Sequence, residues 1–153
     1  MLNQEQLLKI EEEAKEFFNK ITFEVDIELL PQKEQTVCIN LTSDAPQILI
    51  GEKGQTLMEI QQVLSAILKR KIQEPFFIDI DINDYKKKKI EYLKETAKNL
   101  ADEAVLTKTE KWLPPMPAYE RRIIHLELAE RTDVTTESID REPLRKIVIK
   151  PCP

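Results

Sequence analysis

Two short constellations in this sequence hold residue types that can do chemistry. The first is Gly51-Glu52-Lys53-Gly54, which contains both glycines of a 153-residue chain. Glycine permits backbone dihedrals closed to other residues and leaves no side chain between main chain and ligand. The loop opens onto the amino terminus of a helix at 55–71, whose unpaired N–H groups and dipole favour an anion. A phosphate suits that geometry, and so does a plain helix–helix turn. The second is Arg121-x-x-x-His125, which contains the only histidine. At about 100 degrees per residue, Arg121, Arg122 and His125 share one arc of a helix, and Glu120, Glu127 and Glu130 share a nearly opposite one. Such segregation makes a basic face, whereas a helix built for solubility pairs acids and bases four residues apart. A buried, hydrogen-bonded histidine is the competing reading of His125.

Neither constellation amounts to an active site. One histidine without a second titrating group, and no carboxylate cluster at metal-binding spacing, point to a non-enzyme with no catalytic residues, metal or cofactor. Cys38 and Cys152 match no ligand spacing and are expected as free thiols. Asp79 and Asp81 alternate along a strand and read as a solubilising face.

The elements that must position these residues follow from periodicity. Leu7, Ile10, Ala14, Phe17, Phe18 and Ile21 recur at helical spacing, predicting a helix over 4–19. The period then switches to two at Phe23, Val25, Ile27 and Leu29, and again at Val37, Ile39 and Leu41, which predicts a hairpin around Pro31. Asp44 is expected to cap a short helix leading through Ile48, Leu49 and Ile50 into the glycines. Leu57, Ile60, Leu64, Ile67 and Leu68 form the next helical stripe, and Phe76, Ile78, Ile80 and Ile82 a strand.

Asp84 is expected to cap a third long helix with Ile90, Leu93, Ala97, Leu100, Ala101 and Ala104 on one face. Beyond it lie a stretch around Trp112, the turn PPMP at 114–117, a helix from Ala118 to Glu130, and strands near Thr135 and over 146–150. The expected organisation is α+β in two domains, 1–83 and 84–153.

The net charge of -5 argues at first against a nucleic-acid partner. The acidity, however, is concentrated in residues 1–50, and from Gly51 onward acids and bases nearly balance, so local basic faces remain open. No apolar run approaches a membrane span and no secretory leader opens the chain, so a cytoplasmic location is expected. The run Lys86 to Lys89 points all around a helix and opposes its dipole. Solvated charge and phosphate contact both fit it. Trp112 and Tyr119 are expected as core or cover residues, with base stacking the alternative.

A GxxG between two helices, within helix-strand-strand-helix-helix-strand over residues 1–82, resembles the bacterial (type II) KH domain. The resemblance implies a three-stranded sheet with helices on one face. It also implies that Gly51, Glu52, Lys53 and Gly54 clamp the backbone of a four-nucleotide strand, with Ile48, Ile50 and Leu57 flooring a groove for bases. Glu52 departs from that family, whose loop is commonly basic at both inner positions.

The segment "ERRIIH", with the preceding "PPM" and the closing "REPLRKIVIKP", resembles the R-3-H domain, a small α+β module of single-stranded nucleic-acid proteins, over 84–151. By that likeness Arg121 and His125 bind phosphate or base edges, assisted by Arg122, Arg145 and Lys146. Asp140 stands where that family commonly has glycine.

The two modules in this order resemble the Jag, or SpoIIIJ-associated, family of bacterial proteins, without the separate amino-terminal Jag domain. The likeness implies RNA binding linked to cell elongation and division, and a small KH-only protein as partner. The implied ligand is single-stranded RNA, with single-stranded DNA as its nearest substitute. An adaptor that pairs through the KH unit, with RNA secondary, is the alternative; oligomeric state is left open.

Overall fold

The computed structural model describes residues 1–153 and divides into two compact units, Met1–Lys86 and Lys87–Pro153. The first unit opens with α1 (Gln4–Lys20), which starts on a reciprocal cap. The Asn3 side chain accepts the Gln6 N–H at 2.8 Å, and the Gln6 side chain accepts the Asn3 N–H at 2.8 Å. Its buried face is Ile10, Ala14 and Phe18. β1 (Asp26–Leu29) and β2 (Thr36–Thr42) are antiparallel, with Ile27 opposite Leu41. The chain then crosses through α2 (Pro46–Ile50) and α3 (Gln55–Lys71) to β3 (Phe77–Ile82), which lies parallel to β2 with Ile39 opposite Ile80. The sheet order is β1-β2-β3.

Period-two burial along β2 and β3 sends Val37, Ile39, Leu41, Ile78, Ile80 and Ile82 into one core with the helices' Leu49, Leu64 and Leu68. The core forms because each element presents a single apolar face, and burying a side chain of this size contributes roughly 1.5–3 kcal/mol.

Two expected caps are corrected. Asp44 does not cap α2; Ala45 occupies the cap position without a side-chain bond, and its N–H is taken by the Ser43 hydroxyl at 3.1 Å. Asp84 sits in the left-handed region at φ 57°, and it is Asp81 that accepts the Lys86 N–H at 3.1 Å. Asp79 forms an ion pair with Lys86. These two aspartates thus bond the start of the next helix rather than serving solubility alone.

The second unit takes α4 (Tyr85–Thr107) as its first element. Leu93, Ala97, Ala101 and Ala104 are buried, but Ile90, expected on that face, is 39% exposed. β4 (Lys111–Trp112), β6 (Lys146–Pro151) and β5 (Val134–Ile139) form an antiparallel sheet in the order β4-β6-β5. The central strand is β6, whose run Ile147-Val148-Ile149 is wholly buried. α5 (Ala118–Leu128) follows Pro117, whose carbonyl accepts the N–H groups of Glu120 and Arg121 at 3.1 Å, and it ends two residues before the expected Glu130. Arg131 fastens its far end, with Nε on Asp133 at 2.9 Å and Nη1 on Asp102 at 2.7 Å.

Candidate nucleic-acid interface

In the first unit the glycine loop is shaped by its own neighbours. Gly51 adopts φ 71° and Gly54 φ 79°, with Lys53 between them at φ 54°. A Cβ on Gly51 would lie 2.1 Å from Thr56 Oγ1, and one on Gly54 would lie 3.2 Å from the Tyr85 ring. Gly51 is therefore required by conformation and by packing, and Gly54 chiefly by conformation. On the Cβ side each glycine faces a neighbouring side chain, and the main chain of both is half-exposed. The side chains that the loop offers to solvent are the exposed pair Glu52 and Lys53.

The expected floor is divided. Ile48 is 58% exposed and Ile50 half-buried, but Leu57 is only 3% exposed because it heads the same buried stripe of α3 as Leu64 and Leu68. A hollow of about 390 Å³ lies instead between α3 and β3, lined by Gln61, Gln62, Ser65, Lys69 and Phe77 among others. There the Gln61 side chain accepts the Ile80 N–H at 2.9 Å, and Lys69 stands 5.5 Å from the ring centroid of Phe77, which is 60% exposed. Sequence reasoning passed over Gln61 and Phe77; an aromatic at an outward-facing strand position was the available signal. A larger hollow, about 560 Å³, is lined by Glu16, Glu24, Asp26 and Asp44 against one cation, Lys15, and repels a phosphate backbone.

In the second unit Arg121 is 7% exposed. Its Nε donates to the Met116 carbonyl at 3.2 Å and its Nη2 to the Glu142 carboxylate. Burial follows from its place: α5 turns Arg121 toward the PPMP turn, beside the buried Glu120. This corrects the expectation of Arg121 as an open phosphate donor. His125 is half-buried, with Nδ1 2.6 Å from Thr136 Oγ1 and Nε2 2.9 Å from Ser138 Oγ, so both ring nitrogens are occupied. Burial, then the nearby Arg121 charge, pushes its pKa below the usual 6.5, which favours the neutral ring. Thr136 and Ser138 carried no sequence signal.

Arg122, on the same helix, is exposed. Arg145 is half-buried, with a buried Nε that has no partner.

Lys146 does not join the Arg121–His125 face. Ser138 pairs with Ile147 and Thr136 with Ile149, so those hydroxyls share the core face of the sheet. Lys146 alternates to the other face. There it stands 5.2 Å from the Trp112 ring centroid and 3.4 Å from Asp140 Oδ2. Trp112 and Tyr119, expected as core or cover, are 53% and 58% exposed. Of the lysine run, Lys86 pairs with Asp79, Lys89 lies 5.9 Å from the Tyr92 ring centroid, and Lys87 and Lys88 are exposed. No helix of the protein is long and apolar enough to cross a membrane.

Comparison with known proteins finds one domain match and several relatives. Residues 91–151 match the R-3-H domain. The chain is 35% identical over 133 residues to the RNA-binding protein KhpB of Clostridium symbiosum, covering 86% of this chain and 60% of that protein. It is 32% identical over 111 residues to the protein of that name from Lactiplantibacillus plantarum, covering 72% and 34% of the two chains. With the Bacillus subtilis KhpB it shares 34% identity over 94 residues, 61% and 45% of the two. The chain thus spans 60% or less of the length of each of these relatives. Residues 91–151 form an R-3-H domain, and over 61–86% of its length the chain is similar to these KhpB proteins.

Proposed function

We propose that this protein binds single-stranded RNA, mainly through its backbone, using a KH-type first unit and an R-3-H second unit. The observation that carries the reading is the similarity, over 133 residues, to a protein named for RNA binding, a length that requires both units. The order α1-β1-β2-α2-α3-β3, with its glycine loop before α3, supports the KH assignment of the first unit. The contacting groups are exposed cations: Lys53 on the loop, Arg122 on α5, and Lys87 and Lys88 on α4. Arg121 and His125 act behind them, holding α5 in position. Single-stranded DNA is the nearest substitute ligand. The cytoplasm is the compartment, and control of cell elongation and division is the setting that the family likeness supplies.

Crosslinking and sequencing of bound RNA from cells tests the reading, with Glu52 and Lys53 both changed to Asp in a parallel strain. Aspartate tolerates the left-handed backbone at position 53. Recovery should fall in the folded double variant; undiminished recovery removes the loop from the site. A second reading, pairing of the first unit with a small KH-only protein, is favoured by Leu8, Met58 and Val63, which α1 and α3 leave 50–55% exposed. Partner binding that survives ribonuclease and the loop variant would favour that adaptor role.

A further inference from the structure

Trp112 is the chain's one tryptophan, and at 53% exposure it leaves much of a large ring in water. It stands on the edge strand β4, directly opposite Val148. Lys146 and Val148 are two apart on β6, so Trp112 and Lys146 share the sheet face opposite the one that carries Ile147 and Ile149 into the core. Val148 is 1% exposed without belonging to that core, so shielding it accounts for part of the indole and not for the exposed remainder. Among the lysine–aromatic contacts, at Phe77, Tyr92 and Trp112, this one has the shortest separation and the strongest ring for a cation.

We propose that Trp112 and Lys146 form a nucleotide platform: one base of a single-stranded RNA stacks on the indole, and Lys146 meets the adjoining phosphate. The proposal rests on the RNA-binding reading and adds to it a face distinct from the Arg121–His125 helix. A base stacked on an aromatic ring needs no hydrogen-bond code, because every base has a π-face. Lys146 Nζ stands over the ring in the unbound protein, so the incoming base displaces this flexible side chain to the rim, where the phosphate hangs. Asp140 beside Lys146, and the Lys150–Glu137 pair at 2.8 Å, keep this face near neutral. Stacking therefore supplies most of the affinity here, and charge only a share.

Because Trp112 is alone, its fluorescence reports this face directly. The full chain is titrated with fluorescein-labelled oligo(A) and oligo(U) of about ten nucleotides, within the usual single-strand site sizes. Indole emission should be quenched with the same midpoint as the rise in oligonucleotide anisotropy, and duplex RNA should not quench it. Trp112→Leu should weaken binding roughly 5- to 100-fold without changing its salt dependence. Trp112→Phe should retain most of the affinity. Lys146→Gln should reduce the slope of log affinity against log salt by about 0.7. Oligonucleotide binding with unchanged indole emission, or with wild-type affinity in Trp112→Leu, would overturn the platform while leaving the RNA-binding reading standing. Absence of any binding at about 50 mM salt would overturn the RNA-binding reading, and the platform with it.

Discussion

Arg121 and Glu142 are joined at 2.5 Å, the arginine side chain 9% exposed and the glutamate 60%. With the Nε bond to Met116, and the Met116 N–H on the Arg145 carbonyl at 3.2 Å, the guanidinium ties α5, the proline-rich turn and the β5–β6 turn together. The two partners are unequal. Arg121→Ala opens a cavity and strands the Met116 carbonyl, and should cost about 2–4 kcal/mol. Glu142→Ala leaves a guanidinium that water reaches through the vacated, solvent-facing site, and should cost about 1 kcal/mol. Urea unfolding of the two variants measures the difference.

His125 predicts a pH dependence of stability. Its pKa is lowered in the folded protein, first by burial and then by Arg121, so the unfolded chain binds the proton more readily. Its contribution is therefore complete above about 6.5, the ordinary value, and is lost as pH falls through the lowered one. Thermal midpoints between pH 5 and 8 should decline on the acid side, and His125→Gln should flatten that decline.

The two glycines should differ in how badly they tolerate a methyl group. Gly54, at φ 79° and ψ 12°, is left-handed, which costs a non-glycine residue about 1–2 kcal/mol, whereas Gly51, at φ 71° and ψ -174°, lies in a region essentially closed to other residues. At Gly51 the added Cβ also meets Thr56 Oγ1 at 2.1 Å, whereas at Gly54 it meets the Tyr85 ring at 3.2 Å. Gly51→Ala should accordingly cost more than 2 kcal/mol and Gly54→Ala about 1–2 kcal/mol, measured by chemical denaturation.

Asp140 has φ 67°, a conformation that suits the glycine common at this position in R-3-H domains, and its carboxylate holds Lys146. Asparagine tolerates that backbone equally well. Asp140→Asn should leave stability within about 0.5 kcal/mol of wild type while raising RNA affinity a few-fold, read by oligonucleotide anisotropy.

The sequence was legible where one period held along an element. The alternation at Val37, Ile39 and Leu41, and the stripe Leu57, Leu64, Leu68, named core faces because each strand or helix buries a single side. The glycine loop and the arginine–histidine helix were also visible, since few residue types can occupy those backbones and spacings. What escaped were relations across the chain. A helical wheel puts Arg121 and Arg122 on one arc but cannot show that the turn at Met116 and the carboxylate of Glu142 close over the first and leave the second open. Nor could it foresee that Thr136 and Ser138, eleven and thirteen residues from His125, would take both ring nitrogens. The same limit hid the exposure of Trp112, which depends on β4 being an edge strand.

The central claim is that exposed cations on both units hold the phosphates of one unpaired strand. The most direct measurement is the affinity of a single-stranded RNA oligonucleotide across about 50–300 mM salt, for wild type and for the double variant Lys53→Asn/Arg122→Ala. Wild-type affinity should fall linearly on logarithmic axes, and the double variant's slope should be shallower by about 1.4, roughly 0.7 for each phosphate that no longer meets a cation. An identical slope in a folded double variant, or no measurable affinity at the lowest salt, would contradict it.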